Sequence, residues 1–422
     1  MVMTNWAGNV AYSADRVCSP TSIAELQGLI AQSRRVRALG SRHSFNDIAD
    51  TPGVLVSVEA IPIPLVVDHD AWTVTVGGGV RYAELARDLH TSGVALANLG
   101  SLPHITVAGS VATGTHGSGD GNANLASAVS ALEMVTAEGE LITLRRGADR
   151  ERFAGAVVAL GALGVVVSLT LDVVPAFNVR QCVYDGLEWS TLTTHLDEIF
   201  ASGYSVSVFT GWRSDLVGQV WVKRRTDDPR EAETELFGAR LATEPRHPID
   251  GMPVENSTPQ LGIPGPWHER LPHFRAEFTP SVGEEIQSEY LVPREHAVAA
   301  LLALARVRER IGPVLQVGEL RTVAADELWL SPGYRRDLLA IHFTWVKDMV
   351  AVRPAMRAVE EALEPFGPRP HWGKVFTLSA EAVQSRYPRL SDFRKLLDEL
   401  DPGGKFRNDF VERHISPHHR IL

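Results

Sequence analysis

The sequence predicts an α+β protein, because short strand-like runs and helical segments follow one another in its first part. "SIAELQGLIAQS" has helical spacing, with Ser22 as a candidate N-cap and Glu25 three residues later. Strand-like runs follow at "VRALG", "GVLVSVEAI" and "TVTVGGGV". "RYAELARDLHTSG" then predicts a helix that ends at Gly93, and "LEMVTAEGELITL" predicts a hairpin that turns at Glu138 and Gly139.

The later parts of the chain have a different composition. A length of 422 residues predicts two to four structural units, or one large domain with a second one inserted. From about residue 180 the chain is richer in tryptophan, with strand-like runs at "YSVSVFTGW" and "QVWVKRR", and its last part includes the turn-rich "DPGGKF". We therefore predict a first domain over residues 1–178, a second over 179–365, and a segment over 366–422 that returns to the first.

Composition limits the class of partner. Hydrophobic residues make up 44% and charged residues 22%, as in a globular protein with a sizeable core. The net charge of -10 argues against binding to nucleic acid, to an anionic membrane surface or to an anionic polymer. Two distant cysteines argue against a thiolate zinc site, and no HExxH or comparable spacing predicts another metal site. A small neutral molecule is the expected partner.

One uncharged stretch is long enough to cross a bilayer. It runs over residues 153–171, "FAGAVVALGALGVVVSLTL", but it contains three glycines and its second half alternates between apolar and polar residues. A helix that ends at "GALG", followed by a strand, fits this pattern better than a membrane span. The start "MVMTNWAGNV" has no signal-peptide pattern, so we expect a cytoplasmic protein, and we expect a monomer.

Two glycine-rich segments are candidates for phosphate binding. They are "GSRHSFND" (residues 40–47) and "AGSVATGTHGSGDG" (residues 108–121). Small residues let backbone N–H groups approach an anion closely. Neither segment has the Walker pattern or the dinucleotide fingerprint, so phosphate cradles and ordinary connections both remain open.

Polar residues share strand faces with apolar ones in the second domain. In "VLQVGELRTV" the alternation places Glu319 and Arg321 on one face with aliphatic residues. An exposed ion pair is the simpler interpretation, but the apolar neighbours favour a partly buried pair. In "LLAIHFTWV" one face is entirely apolar, and His342 and Thr344 occupy the other. Lys374 in "PHWGKVF" is predicted to lie on a strand in an apolar setting.

These segments, in this order, resemble the vanillyl-alcohol-oxidase flavoproteins. The matching motifs are "GSRHSF", "GSLPHITVAGSVATGTHGSG" and "ALGALGVV". "RPHWGK", "DPGGKF" and "QSEYLVPREHA" resemble the branch of aldonolactone and alditol oxidases. The resemblance covers nearly the whole chain. It implies a two-subdomain FAD-binding domain of the PCMH type over residues 1–178, an α/β cap domain over 179–365, and FAD as the cofactor.

The same resemblance implies that FAD is covalently attached to His43. No cysteine lies between residues 100 and 121, so a single attachment is expected. Arg42 replaces the glycine that many relatives carry before this histidine, which weakens the argument for a left-handed backbone there, and its charge would help to neutralise the pyrophosphate. For His116 and His371 a purely structural role stays open. The FAD contacts implied are Gly40, Ser41, Arg42, Ser44, Phe45, Ser101, Thr106, Gly109, Thr113, Gly114, Thr115, His116, Gly164, Val166 and His371.

The resemblance also implies an activity and a set of site residues. The terminal CH₂OH of a polyol such as xylitol or sorbitol would lose hydride to flavin N5, and O₂ would then be reduced to H₂O₂. An aldonolactone oxidase or dehydrogenase is the alternative enzyme, and a flavin-binding module without turnover is the non-enzymatic alternative. The catalytic residues implied are Lys374, Arg321, Glu319 and His342. The substrate-binding residues implied are Ser101, Glu319, Arg321 and Thr344.

Overall fold

The computed structural model describes residues 3–249, 251–278 and 284–416. Residues 1–2, 250, 279–283 and 417–422, which fall in all three predicted segments, lie outside the described residues. The described part contains both helices and sheets, as the α+β prediction requires.

The chain begins with a small parallel sheet in the order β1-β3-β2, covered by one helix. The helix starts as the sequence predicts, because the Ser22 side chain accepts a hydrogen bond from the Glu25 N–H, and Glu25 bonds back to the Thr21 N–H at 2.7 Å. The elements are β1 (Arg16–Cys18), α1 (Ile23–Gln32), β2 (Val36–Ala38) and β3 (Val54–Val56).

A five-stranded antiparallel sheet in the order β4-β5-β9-β7-β8 follows. Gly93, at a φ of +76°, follows the helix that the sequence predicts there, and Gly139, at a φ of +85°, forms the predicted hairpin turn. The elements are β4 (Val66–Asp68), β5 (Thr73–Gly77), α2 (Tyr82–Thr91), β6 (Val94–Ala95), α3 (Val107–Ala112), β7 (Val129–Val135), β8 (Leu141–Arg145), α4 (Arg146–Val157), β9 (Val165–Asp172) and β10 (Val174–Pro175).

The uncharged stretch over residues 153–171 is a helix end and a strand, as predicted. The helix ends earlier than expected, at Val157, because Leu160 and Gly161 take left-handed backbone angles (φ +55° and +67°) that a helix cannot include. Strand β9 then occupies the centre of the five-stranded sheet. Among the described residues, none of the helices combines the length and the apolar character that a bilayer crossing needs.

A ten-stranded sheet, in which every strand pair is antiparallel, makes up most of the remaining chain. Its outer face is apolar and is covered by helices; Leu320, Ile341 and Phe343 on that face are fully buried. The elements are β11 (Asn178–Glu188), α5 (Trp189–Thr194), α6 (Leu196–Phe200), β12 (Ser205–Thr210), β13 (Leu216–Arg225), β14 (Glu235–Leu236), β15 (Ala239–Leu241), β16 (Gly265–Pro266), β17 (Glu285–Pro293), α7 (Ala297–Ala305), α8 (Arg308–Ile311), β18 (Leu315–Val323), β19 (Leu338–Val346) and α9 (Met349–Leu363).

The last part of the chain packs back against the first. Phe406 is buried with residues of both smaller sheets, and Lys405 Nζ donates to the carbonyl oxygens of Ile30 (2.7 Å) and Ala137 (2.6 Å). The domain boundaries at residues 178 and 365 stay a prediction. The elements are β20 (Arg369–Pro370), which joins the ten-stranded sheet, α10 (Ala380–Gln384), α11 (Leu390–Leu400) and α12 (Asp409–His414).

Candidate active site

One large cavity lies between the glycine-rich loops and the inner face of the ten-stranded sheet. Its empty volume, including the open mouth, is about 2120 Å³. We call the side formed by residues 40–45 and 100–116 the loop wall, and the side formed by strands β12, β17, β18 and β19 the cap wall. Except for Gly114, the cavity lining includes all the predicted site residues, namely Gly40, Ser41, Arg42, His43, Ser44, Phe45, Ser101, Thr106, Gly109, Thr113, Thr115, His116, Gly164, Val166, Glu319, Arg321, His342, Thr344, His371 and Lys374.

His43 lies in the loop that follows β2, with its ring stacked on Trp6 at a centroid distance of 4.5 Å and an interplanar angle of 21°. Its Nε2 atom is buried and has no hydrogen-bond partner among the residues that the structure describes. Burial lowers the pKa of His43 to about 4, and the charges of His104 and Arg81 act in the same direction. His43 lines the cavity, and a neutral imidazole with an unpartnered nitrogen at such a position fits a covalently attached group.

Arg42 adopts a left-handed backbone, with a φ of +62°, although the replacement of glycine argues against this conformation. The reason is the N-terminal segment, which holds the loop in place. The Trp6 N–H donates to the Arg42 carbonyl at 2.8 Å, and Asn5 Nδ2 donates to the Ser44 carbonyl at 2.9 Å. The Arg42 side chain is exposed, and its Nη1 lies 3.5 Å from the Thr4 carbonyl oxygen.

The loop wall needs small residues at specific positions. A Cβ atom on Gly40 would lie 2.5 Å from Thr106 Oγ1, and one on Gly109 would lie 2.7 Å from the same atom. Both positions therefore require glycine, which leaves backbone exposed to the cavity. A groove lined by backbone and small side chains fits a nucleotide cofactor such as FAD.

Gly114 does not line the cavity itself but shapes the backbone of the loop wall. It has a φ of +63°, so it turns the chain between Thr113 and Thr115, whose hydroxyls lie 3.1 Å apart and line the cavity. A Cβ atom there would lie 3.2 Å from Pro332 Cδ, on the side of the protein interior. Its role as a cofactor contact stays a prediction.

The cap wall carries its polar side chains in register. His342 on β19 pairs with Glu319 on β18 and, on its other side, with Glu289 on β17. Directly paired residues on neighbouring antiparallel strands point to the same face, so the three side chains form one row. His342 and Thr344 face the cavity while the alternate residues of β19 are in the core, as the alternation predicts.

Glu289 is the centre of a buried charge cluster. Its two carboxylate oxygens accept hydrogen bonds from Arg321 Nη2 at 2.6 Å and from Lys374 Nζ at 2.7 Å. Burial favours the protonated form, but the positive charges of Lys374 and Arg321 prevail and hold the pKa of Glu289 well below its usual range. His116 Nε2 lies 3.4 Å from the same carboxylate. Glu289 thus fixes two cations at the cavity surface.

Lys374 connects this cluster to His342 and Thr344. Its Nζ lies 2.7 Å from His342 Nδ1, and His342 Nε2 lies 3.0 Å from Thr344 Oγ1. Burial lowers the pKa of His342 to about 3, and the charge of Lys374 adds to this effect. Burial also lowers the pKa of Lys374. The predicted strand around Lys374 is wrong, because the residue follows a turn in which its N–H bonds to the His371 carbonyl at 3.0 Å.

Glu319 and Arg321 form the buried pair that the apolar neighbours predict. Arg321 Nε lies 3.5 Å from Glu319 Oε1, and Arg321 Nη1 donates to Ser101 Oγ at 3.3 Å, which joins the cap wall to the loop wall. Burial opposes ionisation of Glu319, but the charge of Arg321 prevails and lowers its pKa. His273 Nε2 lies 2.8 Å from Glu319 Oε1.

His116 and His371 both line the cavity and both have backbone partners. His116 Nδ1 lies 2.9 Å from the Gly117 carbonyl oxygen, and His371 Nδ1 accepts from the Gly373 N–H at 3.1 Å. Burial lowers the pKa of His371 well below its usual range, and the charge of Lys374 adds to this. Their role as cofactor contacts stays a prediction.

Sequence reasoning missed four residues at this site. The sequence contains a signal for two of them, because the alternation in "EIQSEYLVP" places Gln287 and Glu289 on the same face of β17. Nothing in the sequence marks Trp6 or His273, because each meets its partner across a long stretch of chain.

Comparison with known proteins agrees with this arrangement. The family model described as "FAD binding domain" matches residues 14–145, and the one described as "D-arabinono-1,4-lactone oxidase" matches residues 283–414. The crystal structure of cholesterol oxidase from B. sterolicum covers 98% of this chain, and 96% of its own chain is covered, with a TM-score of 0.80. At 15% identity this similarity shows the fold alone. That fold is the two-subdomain FAD-binding type with a cap domain.

Relatives of similar length show the family. The chain is 56% identical over 412 residues to the alditol oxidase of Streptomyces sp. (strain IKD472 / FERM P-14339), with 97% of this chain and 98% of that protein covered. It is 31% identical over 432 residues to the L-gulono-1,4-lactone dehydrogenase of Mycobacterium tuberculosis (strain ATCC 25618 / H37Rv), with 99% of each covered. The lactone enzymes are thus the more distant relatives. The chain belongs to the alditol oxidase family of FAD-dependent oxidoreductases.

Proposed function

We propose that this protein oxidises the terminal primary hydroxyl of alditols such as xylitol and sorbitol to the aldose, with O₂ as the electron acceptor and H₂O₂ as the product. The observation that carries the proposal is the charge cluster of the cap wall, which opens into the same cavity as the loop wall. A polyol has several hydroxyls and no charge, so its recognition needs many fixed donors and acceptors. The 56% identity to an alditol oxidase supports the same substrate class.

Each side chain of the cluster has a task in this proposal. When bound, FAD supplies a two-electron acceptor for hydride from the carbinol carbon. The hydroxyl proton of the substrate passes to solvent through the open mouth of the cavity. Lys374 and Arg321 stabilise the negative charge that develops on the substrate oxygen, because both are buried cations held by Glu289. The Glu319 carboxylate accepts a hydrogen bond from a hydroxyl of the substrate and so orients the carbon chain of the polyol. His342, which is neutral, and Thr344 supply further hydrogen bonds.

We also propose that FAD is attached through a single covalent bond to His43. Its unpartnered and buried Nε2, together with its lowered pKa, supports this role, because the attacking group must be a neutral imidazole. The stacked Trp6 keeps the ring in one orientation. Within the first domain the loop-wall residues hold the rest of the cofactor through backbone groups and hydroxyls. We further propose a cytoplasmic monomer, which cell fractionation and size-exclusion chromatography with light scattering test.

Oxygen consumption and peroxide formation distinguish the proposed reaction from that of the lactone enzymes. The purified yellow holoenzyme is given xylitol, sorbitol, L-gulono-1,4-lactone and D-arabinono-1,4-lactone under air, and then with an artificial acceptor without oxygen. We expect one H₂O₂ per polyol oxidised and little turnover of the lactones. Turnover of lactones only, or turnover with the artificial acceptor only, contradicts the proposal.

Acid denaturation tests the covalent attachment. We expect the yellow colour to stay with the wild-type polypeptide, and His43→Ala to release all of its FAD on precipitation. His104→Ala is the matched control, because this histidine lies close enough to act on the charge of His43, but its Nε2 is hydrogen-bonded to the Ala276 carbonyl oxygen at 2.8 Å. Release of FAD from the wild type contradicts the attachment.

A further inference from the structure

Behind the cap wall, Lys223 on strand β13 has a buried amino group that the proposed chemistry does not use. Burial lowers the pKa of Lys223 to about 7, although the charge of Glu319 favours the ammonium form. The side chain is 1% exposed. Its Nζ lies 3.0 Å from His273 Nδ1, 3.1 Å from the Pro272 carbonyl oxygen and 2.5 Å from the Leu271 carbonyl oxygen. An ammonium group has three N–H donors and no acceptor, so these three acceptors use all of them.

This arrangement fixes the tautomer of His273. When Lys223 is protonated it donates to Nδ1, and the neutral ring then carries its proton on Nε2. The Glu319 carboxylate, which can only accept a hydrogen bond, requires the same proton on Nε2. Burial lowers the pKa of His273 to about 4, and the charge of Lys223 adds to this, so the ring is neutral at neutral pH. The Nε2–H points at Glu319 Oε1, 2.8 Å away, with Ser207 Oγ at 3.3 Å.

The ring of His273 has no freedom to turn away. Phe209 and Trp221 contact it edge to face, with centroid distances of 5.3 Å and 5.5 Å. Glu319 Oε1 is also 3.5 Å from Arg321 Nε. The carboxylate is therefore held from two sides, by a cation on its own strand and by a neutral donor from the 268–278 loop.

We propose that Lys223 and His273 are positioning residues, in which Lys223 selects the Nε2–H tautomer of His273 and this N–H holds the Glu319 carboxylate in place to accept a substrate hydroxyl. That Glu319 accepts a substrate hydroxyl rests on the proposed alditol oxidation. The tautomer of His273 does not depend on that function. Lys223 does not line the cavity, and it is linked to Glu319 by hydrogen bonds only through His273. A histidine with a fixed tautomer orients a carboxylate as surely as a carboxylate orients a histidine in other sites.

Nitrogen NMR of the holoenzyme tests the tautomer without any substrate. In protein labelled with ¹⁵N-histidine, the signals that disappear in His273→Gln belong to His273. We expect a protonated Nε2 and an unprotonated Nδ1 in the wild type, and a loss of that tautomer in Lys223→Met. An Nδ1–H form in the wild type, or an unchanged tautomer in Lys223→Met, overturns the proposal.

Kinetics in two backgrounds test the effect on Glu319. We expect Lys223→Met to raise the KM for xylitol about tenfold, with a smaller change in kcat, because one hydrogen bond to a charged group loses its geometry. In a Glu319→Met background the same substitution should change the KM less than about twofold, since the oxygen that accepts from His273 is gone. Equal fold-changes in both backgrounds would mean an independent structural effect and would overturn the proposal.

A pair of His273 variants gives the same test if Lys223→Met fails to fold. His273→Gln keeps a donor near the position of Nε2, whereas His273→Asn keeps only an acceptor near the position of Nδ1. We expect a KM near that of the wild type for His273→Gln and about tenfold higher for His273→Asn. The reverse order contradicts the proposal. Absence of polyol turnover in the wild type contradicts the proposed function instead, and the NMR result then still decides the tautomer.

Discussion

The loop wall is built from backbone, hydroxyls and glycines, whereas the cap wall is built from charged side chains on adjacent strands. In the loop wall, Gly40 and Gly109 are needed because Thr106 leaves no room for a side chain. In the cap wall, Glu289 holds Arg321 and Lys374 at 2.6 and 2.7 Å. The first wall suits a large cofactor that is bound once, and the second suits a small substrate that enters and leaves at every turnover.

The two walls also respond differently to substitution. Loss of one charge in the cap wall leaves another buried charge without its partner, which is costly. Loss of a side chain in the loop wall leaves most backbone contacts in place. The following substitutions test this difference, from the largest expected effect to the smallest.

Glu289→Gln should have the largest effect, because it leaves Arg321 and Lys374 as unpaired buried cations. We expect a loss of about 3–5 kcal/mol in the free energy of unfolding and a decrease in kcat/KM of about 1,000-fold. Urea unfolding measures the free energy of unfolding, and steady-state kinetics measure kcat/KM. Glu327→Gln, which breaks an exposed ion pair with Arg335, is the control and should change little. Similar losses in the two variants contradict the central role of Glu289.

Lys374→Met should slow flavin reduction by polyol by about 100-fold or more, because the developing alkoxide loses one of its two proposed cations. Anaerobic stopped-flow absorbance of the flavin measures this step separately from the reaction with O₂. Lys395→Met, at an exposed lysine of α11, is the matched control. A reduction rate near that of the wild type in Lys374→Met removes Lys374 from the catalytic residues.

His342 should contribute to the pH dependence of stability. Its pKa is lowered to about 3 by burial and by the charge of Lys374, so the unfolded chain takes up the proton first as the pH falls. Its contribution to stability is therefore complete above pH 6.5, the usual histidine value, and decreases by about 1.4 kcal/mol per pH unit below it.

Urea unfolding at pH 7.5, 6.0 and 5.0 measures this slope. We expect a shallower slope in His342→Gln than in the wild type, and an unchanged slope in the control His69→Gln, whose histidine is exposed. Equal slopes in His342→Gln and the wild type would show that His342 is not neutral in the native state.

Arg42→Gly should have the smallest effect, and of the opposite sign. The left-handed backbone at a φ of +62° costs a non-glycine residue about 1 kcal/mol, and glycine removes this cost while adding entropy to the unfolded chain. We expect a gain of less than about 1 kcal/mol in thermal unfolding. Arg34→Gly, at an exposed residue without a positive φ, should lose about 0.5 kcal/mol. A loss of similar size at both positions contradicts the assigned strain.

The sequence predicts the loop wall better than the cap wall. Glycine, serine and threonine at fixed spacing mark residues 40–47 and 108–121, because a cradle made of backbone depends on local chain geometry. The Glu319/Arg321 and His342/Thr344 faces also follow from strand alternation alone. The strand around Lys374 is predicted wrongly, because alternation over a few residues cannot be distinguished from a turn.

By itself, the sequence determined the fold class, the FAD cofactor and which faces of β18 and β19 are polar. Only the tertiary structure decided which charges meet, because Glu289, Arg321 and Lys374 lie on separate segments that the sheet and the returning chain bring together. It also decided the conformation of Arg42, which the N-terminal segment imposes, and the tautomer of His273, which Lys223 imposes. Local spacing encodes local geometry, whereas pairing across strands depends on a register that is set when the whole sheet forms.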